Sequence, residues 1–597
     1  MSENQSSTRE QGMEKYLFRA SAEDFRKISG SPVAYWVEPA VRQSFEIGEP
    51  FGKVATPRQG LATGCNEVFL REWHEVGFST IGFGLPSREQ AKSSALRWFP
   101  YNKGGEWRKW YGNNEFVVDW QGDGARIRDF KDENGKVRSR PQNTDYYFRE
   151  GITWADITTK SFAARYSPQG FIFDVKGSSG FPEARKLKSV LGLMNCKLMH
   201  DFMLILNPTS TFQVGDMARV PYIDLKEEVQ RIDLNVQNLV GVGKVDWNSF
   251  ENSWDFTDLP LLHPNHRQPT LKASYQKLRA HWREMTLEMQ RLEEENNRIF
   301  IDAYGLRDEL TPKVPLREIT LTCNPHYRYG GDKTEEERET LLLADTMREL
   351  VSYAVGCMFG RYSLDKPGLI LANQSEMLAD YLAKVPQPSF PADDDNVIPM
   401  LDDDWFADDI TLRFRQFLRV AFGEEHYEDN LAFIEHALNV KGKRNYSLRD
   451  YFLGEFYTDH VKRYKKRPIY WLFSSGNGKG GGSFNALIYM HRYRPDTVSV
   501  VLKYLRDYRE KLSTEKERQA SVSINPATTQ GDKTRALKEV DRLTKVLTEL
   551  DDYERDELYP LATEQKAIDL DDGVKVNYLK FGAALKKIAG LEAKEED

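Results

Sequence analysis

The chain has 597 residues, 40% of them hydrophobic and 12% aromatic, which is enough apolar material for several hydrophobic cores. Its net charge of −8 and its four cysteines without C-x-x-C spacing argue against a uniformly basic protein, a zinc ribbon and a disulfide framework. Because the chain has no run of 18 apolar residues and no apolar signal core, we predict a cytoplasmic protein of three or four domains with no membrane partner.

After a mobile tail of residues 1–12, the segment 13–267 is predicted to be mixed α and β. Three stretches rich in β-branched and aromatic residues favour strands: NEFVVDW, FAARYSPQGFIFDV and ARVPYIDL. The run 184–206 has the apolar spacing of one buried helix. The sequence KDENGKVRS is typical of a hairpin tip, with Asn134-Gly135 as the turn.

Aromatic and basic residues are interleaved in RWFPYNKGGEWRKWYGNNEFVVDW, residues 97–120. Cations beside aromatic rings suit a surface that holds a polar polymer, so Lys103, Arg108 and Lys109 are candidate DNA contacts. A second interpretation is equally open. The rings can form the core of a β-rich domain, with the basic side chains reaching past them to water.

A long helix is predicted over residues 268–310. Apolar residues alternate at spacings of four and three from Leu271 to Leu292, which is the heptad pattern of a helix with one apolar seam. The helix serves either as a spacer between two modules or as part of its own domain; the pattern does not choose between them.

Residues 311–440 are predicted to form a mainly helical domain, with helices over 335–364 and 410–422. The acidic segment 391–410 within it is interpreted as a solvated linker with helix N-caps. It lacks the glycine and the spaced ligands of a calcium loop, so no metal is assigned to it.

The segment Asn324-Pro325-His326-Tyr327 differs by one residue from the Asn-Pro-Pro-Tyr box of amino-methyltransferases. Such a box holds a flipped-out adenine and follows a Rossmann-like sheet with a glycine-rich cofactor turn. A heptad helix precedes Asn324 instead. We therefore interpret the segment as a strand end followed by a turn, and predict no catalytic and no cofactor-binding residue.

Residues 441–597 are predicted to form a basic C-terminal domain that ends in a helical hairpin. Between Lys441 and Arg494 there are 12 Lys and Arg against 3 Asp and Glu. The cations of HVKRYKKRPIYW, residues 460–471, are numerous enough to neutralise several phosphates, and the aromatic residues among them are candidates for packing on sugar or base. The candidate phosphate contacts are Lys462, Arg463, Lys465 and Lys466. A solvated helix face is the alternative.

The sequence SSGNGKGGG, residues 474–482, matches a phosphate-binding P-loop only in part. A P-loop needs Ser or Thr after its Gly-Lys pair to hold magnesium, whereas Gly480 follows Lys479 here. Predicted strands flank the segment on both sides, which favours a hairpin turn. Contact of Lys479 and the loop backbone with DNA phosphate is the alternative.

Blocks over nearly the whole chain resemble the C-terminal two-thirds or so of the PglX family, the adenine-specific DNA methyltransferases of BREX phage-defence systems. They include SPVAYWV (31–37), PRQGLATGCNEVFLREW (57–73), RWFPYNKGGEWRKWYGN (97–113), SYAVGCMFGRYSLD (352–365) and ALIYMHRY (486–493). Within this resemblance, residues 13–267 are similar to the target-recognition domain shared with type IIG restriction-modification enzymes. The G-x-x-T-G-x-N-x-x-F segment of that domain is matched by Gly60, Thr63, Gly64, Asn66 and Phe69.

The resemblance implies a multidomain α+β protein that is the DNA-specificity portion of an N6-adenine methyltransferase. It would recognise double-stranded DNA and position it for methyl transfer in phage defence. Arg58, Thr63 and Asn66 join the candidate DNA contacts on this ground. The family's Rossmann-like catalytic domain is not visible in these residues, so S-adenosylmethionine is expected on a catalytic domain or subunit that, with other BREX components, is a partner of this chain.

Whether this chain is itself an enzyme stays open, and two alternatives remain. One is a complete but divergent S-adenosylmethionine-dependent adenine methyltransferase. The other is a protein-interaction scaffold of a defence complex.

Overall fold

The computed structural model describes residues 21–476 and 481–592. About half of the described residues are helical and about 9% are in strands, which confirms the predicted α+β class. The chain packs as two compact units. The first comprises the described residues up to Cys65 with Gly82–Trp247 and Arg283–Arg328, and the second comprises Asn66–Ile81, Asn248–Trp282 and the described residues from Tyr329 onward. The tail 1–12 and Lys479 lie outside the described residues, and the predicted five-part division stays a prediction.

Short strands form the sheets of the first unit. Trp98–Asn102 runs antiparallel to Phe116–Asp119, with Trp98 opposite Asp119, and parallel to Ile172–Phe173. In a second sheet, Gly151–Trp154 lies between Ala164–Ser167 and Ser179–Gly180. The remaining strands of this unit, Glu49–Pro50 and Pro221–Tyr222, pair with each other. The predicted strands are thus present, although several are only two residues long.

The core of the first unit contains the rings of residues 97–120. Trp98, Tyr101 and Trp110 are completely buried, and Trp107 is half-buried. Burial of three large rings contributes several kcal/mol each to folding, at about 25 cal/mol per Å² of apolar surface. The core interpretation of this stretch is therefore correct for Trp98, Tyr101 and Trp110.

The first unit also contains helices. They are Ala22–Arg26, Pro39–Ile47, Phe51–Ala55, Arg88–Ser93, Gln121–Arg128, Leu187–Asn195, Lys197–Leu206, Val214–Met217, Val229–Asn248 and Pro325–Arg328. The single helix predicted over 184–206 is wrong in one respect: an extended Cys196, with φ −74° and ψ 152°, divides it in two. Both halves bury most of their apolar residues, because the apolar spacing continues across the break.

The predicted long helix is present as Leu271–Ala303, 33 residues in length. Its seam residues Leu271, Leu278, Met289 and Leu292 are buried. The residues up to Trp282 belong to the second unit and those from Arg283 to the first, so the helix connects the two units in the chain.

The second unit is mainly helical. Its helices are Asn66–Phe69, Glu335–Met358, Leu378–Lys384, Ile410–Phe422, Tyr427–Leu438, Leu448–Tyr451, Phe452–Phe456, Tyr457–Arg463, Thr497–Ile524, Gln530–Tyr553, Glu554–Leu558, Tyr559–Glu564 and Gly573–Leu579. Asn485–Tyr489 pairs antiparallel with Ile398–Pro399 and Tyr470–Ser474, and Leu70–Glu72 is a further strand. The predicted helical hairpin is confirmed, since Arg506 and Arg509 near the start of one long helix pair with Glu554 beyond the end of the other.

The acidic segment 391–410 is not the solvated linker that the sequence predicts. Asp393 and Asn396 are buried, and Ile398–Pro399 is a strand of the second unit's sheet. Burial, followed by the neighbouring carboxylate of Asp395, raises the pKa of Asp393 to about 7. The other charged groups facing it are Arg492, Asp408 and Arg413. The predicted N-cap is confirmed, because Asp409 accepts the Thr411 amide at 2.9 Å.

Asn324 precedes a short helix, Pro325–Arg328, and not the predicted strand end and turn. Its buried carboxamide donates to the carbonyls of Leu316 and Ile319, both at 2.8 Å. The Tyr327 hydroxyl donates to the Trp107 carbonyl at 2.6 Å. Both side chains are used to hold the backbone, so this segment does not have the geometry of an adenine clamp.

Among the described residues, no single helix has both the length and the apolar character needed to cross a membrane. The helices Ala184–Asn195 and Lys197–Leu206 meet at 74°. Taken together, this bent pair passes the test, on length and composition alone.

Candidate nucleic-acid interface

The segment 58–64, which overlaps the start of the G-x-x-T-G-x-N-x-x-F motif at Gly60, packs closely against other parts of the first unit. Gly60 is required by packing, because a Cβ there would lie 1.8 Å from the carbonyl oxygen of Phe173. Gly64 has a φ of +78°, and a Cβ on it would lie 2.8 Å from the carbonyl carbon of Arg138. Between them, Ala62 exchanges two backbone hydrogen bonds with Arg140, at 2.8 and 3.1 Å. Gly60 thus allows the close approach of Phe173, and Gly64 that of residues 138–139.

The three predicted DNA contacts in and beside this motif differ in exposure. Arg58 is half-buried, with its guanidinium 5.1 Å from the ring centre of Tyr146. Thr63 is buried, and Asn66 is half-buried at the start of a short helix of the second unit. Of the three, Arg58 presents a cation at a partly open position.

Lys103 lies at the end of a strand of the main sheet in the first unit. Its ammonium group pairs with Asp174 at 3.1 Å, and the same carboxylate oxygen accepts the Tyr101 hydroxyl at 2.7 Å. The Lys103 side chain keeps 28% of its surface exposed. It is therefore oriented by a buried carboxylate, while part of its side chain stays exposed.

Arg108 and Lys109 are both buried in ion pairs. The Arg108 guanidinium lies 3.1 Å from Asp246, and that carboxylate also accepts the amides of Thr322 and Cys323 at 2.7 and 2.9 Å. Lys109 pairs with Glu293 at 2.6 Å. In this conformation both cations neutralise buried carboxylates inside the first unit.

The basic helix of the second unit presents several cations to solvent. Lys462, Lys465 and Lys466 are exposed at the end of the helix Tyr457–Arg463. Lys465 and Lys466 have φ values of +47° and +66°, and the Lys466 amide closes the helix end by donating to the Val461 carbonyl at 2.8 Å. The C-terminal end of the helix dipole favours positive charge at this position.

The other residues of the stretch 460–471 are internal. Arg463 is half-buried. Burial lowers its pKa, but the carboxylates of Glu251 and Glu349 together with Tyr451 and Tyr464 raise that pKa overall. Three aromatic rings of this stretch were expected to pack on sugar or base. All three are buried, which corrects that expectation. They are Tyr464, Tyr470 and Trp471.

Residues 130–140 form a basic hairpin of the first unit, and its cations are not among the predicted DNA contacts. Lys131 and Val137 form an antiparallel bridge across it. Four cations along it are exposed: Lys131, Lys136, Arg138 and Arg140. The turn residues and the cations of this hairpin lie within one short segment of sequence. Because a hairpin tip is exposed by its geometry, the exposure of these cations can be predicted without knowing how the core packs.

No protein-family model matches the chain. Over 588 residues, 95% of its length, the chain is 37% identical to the adenine-specific methyltransferase BrxX of Escherichia coli O9:H4 strain HS. It is 36% identical over 97% of its length to the adenine-specific methyltransferase PglX of Lacticaseibacillus casei strain Zhang. Each match spans 46% of the relative, so the chain covers about half the length of these curated relatives, less than the predicted two-thirds. The resemblance to PglX is confirmed.

Proposed function

We propose that this chain, a relative of the PglX and BrxX adenine-specific methyltransferases, is the part of a BREX-type N6-adenine methyltransferase that recognises duplex DNA. It would bind double-stranded DNA and position the target adenine for a catalytic domain or subunit. The observation that carries the proposal is the 36–37% identity along nearly the whole chain, matched to less than half of each relative. S-adenosylmethionine would be used by the catalytic portion.

The exposed cations support DNA binding. Lys462, Lys465 and Lys466 are close together in sequence at one helix end, where their charges are aligned with the helix dipole. Such a group neutralises phosphates and adds affinity without reading sequence. The half-exposed Arg58 and Lys103 of the first unit are held by neighbouring groups and are further proposed contacts.

The proposed DNA contacts differ in how far the structure exposes them. Arg108, Lys109 and Thr63 are buried, so their contact with DNA requires a change of conformation. Asn66 and Arg463 are half-buried and are secondary contacts. Positioning in the groove would therefore depend first on the exposed set.

DNA binding is tested by fluorescence anisotropy of the 597-residue chain with a duplex of about 30 base pairs at several salt concentrations. Each phosphate contact contributes about 0.9 to the slope of log affinity against log salt. The triple variant K462Q/K465Q/K466Q is expected to reduce that slope by about 2–3. The matched control is K503Q/K538Q/K545Q, which removes three exposed lysines from the helical hairpin. Equal effects of the two triple variants, or no DNA binding at low salt, would contradict the proposal.

The division of labour with a catalytic portion is tested by calorimetric titration of the same chain with S-adenosylmethionine. We expect no saturable heat. Binding in the micromolar range would instead favour the alternative of a complete, divergent methyltransferase.

A further inference from the structure

The tip of the 130–140 hairpin has a defined backbone. The Gly135 amide donates to the Asp132 carbonyl and the Asp132 amide to the Lys136 carbonyl, both at 2.9 Å. Gly135 has a φ of +78°. These bonds describe a three-residue loop, Glu133-Asn134-Gly135, in which a turn is followed by a left-handed glycine. The predicted Asn134-Gly135 turn is present within this loop.

The carboxylate of Asp132 holds the tip by hydrogen bonds within the loop itself. One of its oxygens accepts the amides of Asn134 and Lys136, each at 2.9 Å. Asp132 is thereby committed to the turn and holds the loop in one conformation. Glu133, Asn134 and Lys136 remain exposed, and within the described part of the chain their side chains make no hydrogen bond or ion pair.

The base of the hairpin is anchored in the first unit. The Arg138 amide donates to the Phe130 carbonyl at 3.0 Å, and the buried Ser139 hydroxyl donates to the Ile127 carbonyl at 2.5 Å. Arg140 pairs with Ala62 of the recognition-domain motif. The motif thus supports the hairpin base while the tip projects into solvent, where a Cβ on Gly135 would meet no atom within 4 Å.

We propose that the tip of the 130–140 hairpin reads base edges in the major groove of DNA. This inference rests on the proposed function. The major groove, about 12 Å wide, admits a two-stranded β-ribbon. The three free side chains are of the types that discriminate bases: a carboxylate accepts from cytosine N4, a carboxamide makes paired bonds to adenine, and an ammonium group donates to guanine O6 and N7. They belong to Glu133, Asn134 and Lys136.

The flanks of the hairpin have the complementary chemistry. Lys131, Arg138 and Arg140 are exposed cations on the two arms of the hairpin below the tip, suited to the phosphates that border the groove. Val137 is 47% exposed and can contact a thymine methyl group. Because the turn is already held by Asp132, binding does not have to order this loop, which lowers the entropic cost of recognition.

The test is selection of bound sequences from a randomised duplex library by the 597-residue chain and by E133A, N134A and K136A. These variants leave Asp132 and Gly135 in place, so the turn is retained. Each is expected to relax the preference at one position of the wild-type motif and to weaken binding to that motif by roughly 5- to 150-fold. The controls E517A and K538A, at exposed positions of the helical hairpin, are expected to keep both motif and affinity.

The other outcomes separate the two proposals. If the tip variants select the wild-type motif with wild-type affinity, or weaken all sequences equally, base reading by the tip is wrong while DNA binding stands. The same holds if the wild-type chain binds DNA but selects no motif. If the wild-type chain binds no duplex DNA, the proposed function itself fails.

Discussion

Replacing Asp246 by asparagine tests whether Arg108 is a structural cation. The carboxylate is completely buried and accepts three donors: the Arg108 guanidinium at 3.1 Å and the amides of Thr322 and Cys323 at 2.7 and 2.9 Å. Asparagine has nearly the same shape but only one acceptor oxygen. At least one of the three donors must then face an NH₂ group, and the buried guanidinium loses its counter-charge.

The expected cost of D246N follows from this geometry. The side chains of Arg108 and Asp246 are 6% and 0% exposed, so water does not replace the lost carboxylate. Removing one partner of a buried ion pair costs about 3–5 kcal/mol, because the other charge is left uncompensated. Since 1 kcal/mol moves the Tm by roughly 2–4 °C in a unit of this size, we expect Tm to fall on the order of 10 °C.

The assay is thermal unfolding followed by tryptophan fluorescence, with urea unfolding as a second measurement. The control is E288Q, which breaks the exposed pair between Glu288 and Arg291 and should cost less than about 1 kcal/mol. The double variant R108M/D246N removes the stranded charge and should be no less stable than D246N alone. A loss for D246N equal to that of E288Q would refute the structural role and return Arg108 to the set available for DNA.

Three further outcomes are expected. G60A should cost about 1–3 kcal/mol or more in urea unfolding, because its new methyl group would overlap the Phe173 carbonyl. L278A, within the buried seam of the long helix, should cost about 2–5 kcal/mol, whereas L287A at a position 57% exposed should be near neutral. Burial raises the pKa of Asp393 to about 7, so the folded chain binds a proton there that the unfolded chain releases near pH 4. Stability from this group therefore falls as pH rises from about 4 to 7, and D393N should flatten that part of a Tm-against-pH profile.

The helices were predictable where their pattern is local. The seam from Leu271 to Leu292, the helix Ile410–Phe422 and the terminal helical hairpin all follow from apolar residues at spacings of three and four, which a short window of sequence contains. The break at Cys196 was not predictable, because the apolar spacing continues across it. Burial of Asp393 was hidden for the opposite reason: a run of acidic residues gives no sign of which member faces the interior.

Candidate DNA contacts can be identified from sequence only where their environment is local. The partners of Arg108 and Lys109 lie 138 and 184 residues away, so a local window shows two unpaired cations beside aromatic rings and cannot reveal that both are neutralised. The hairpin at 130–140 is the reverse case, since its turn, its fixed Asp132 and its exposed Lys136 all lie within five residues. Charges in turns and at helix ends are thus the ones whose exposure a sequence can predict, because distant segments seldom cover them. This places the basic hairpin and the exposed lysines at 462–466 ahead of the aromatic stretch at 97–120 as the surfaces on which DNA binding by this chain is to be tested.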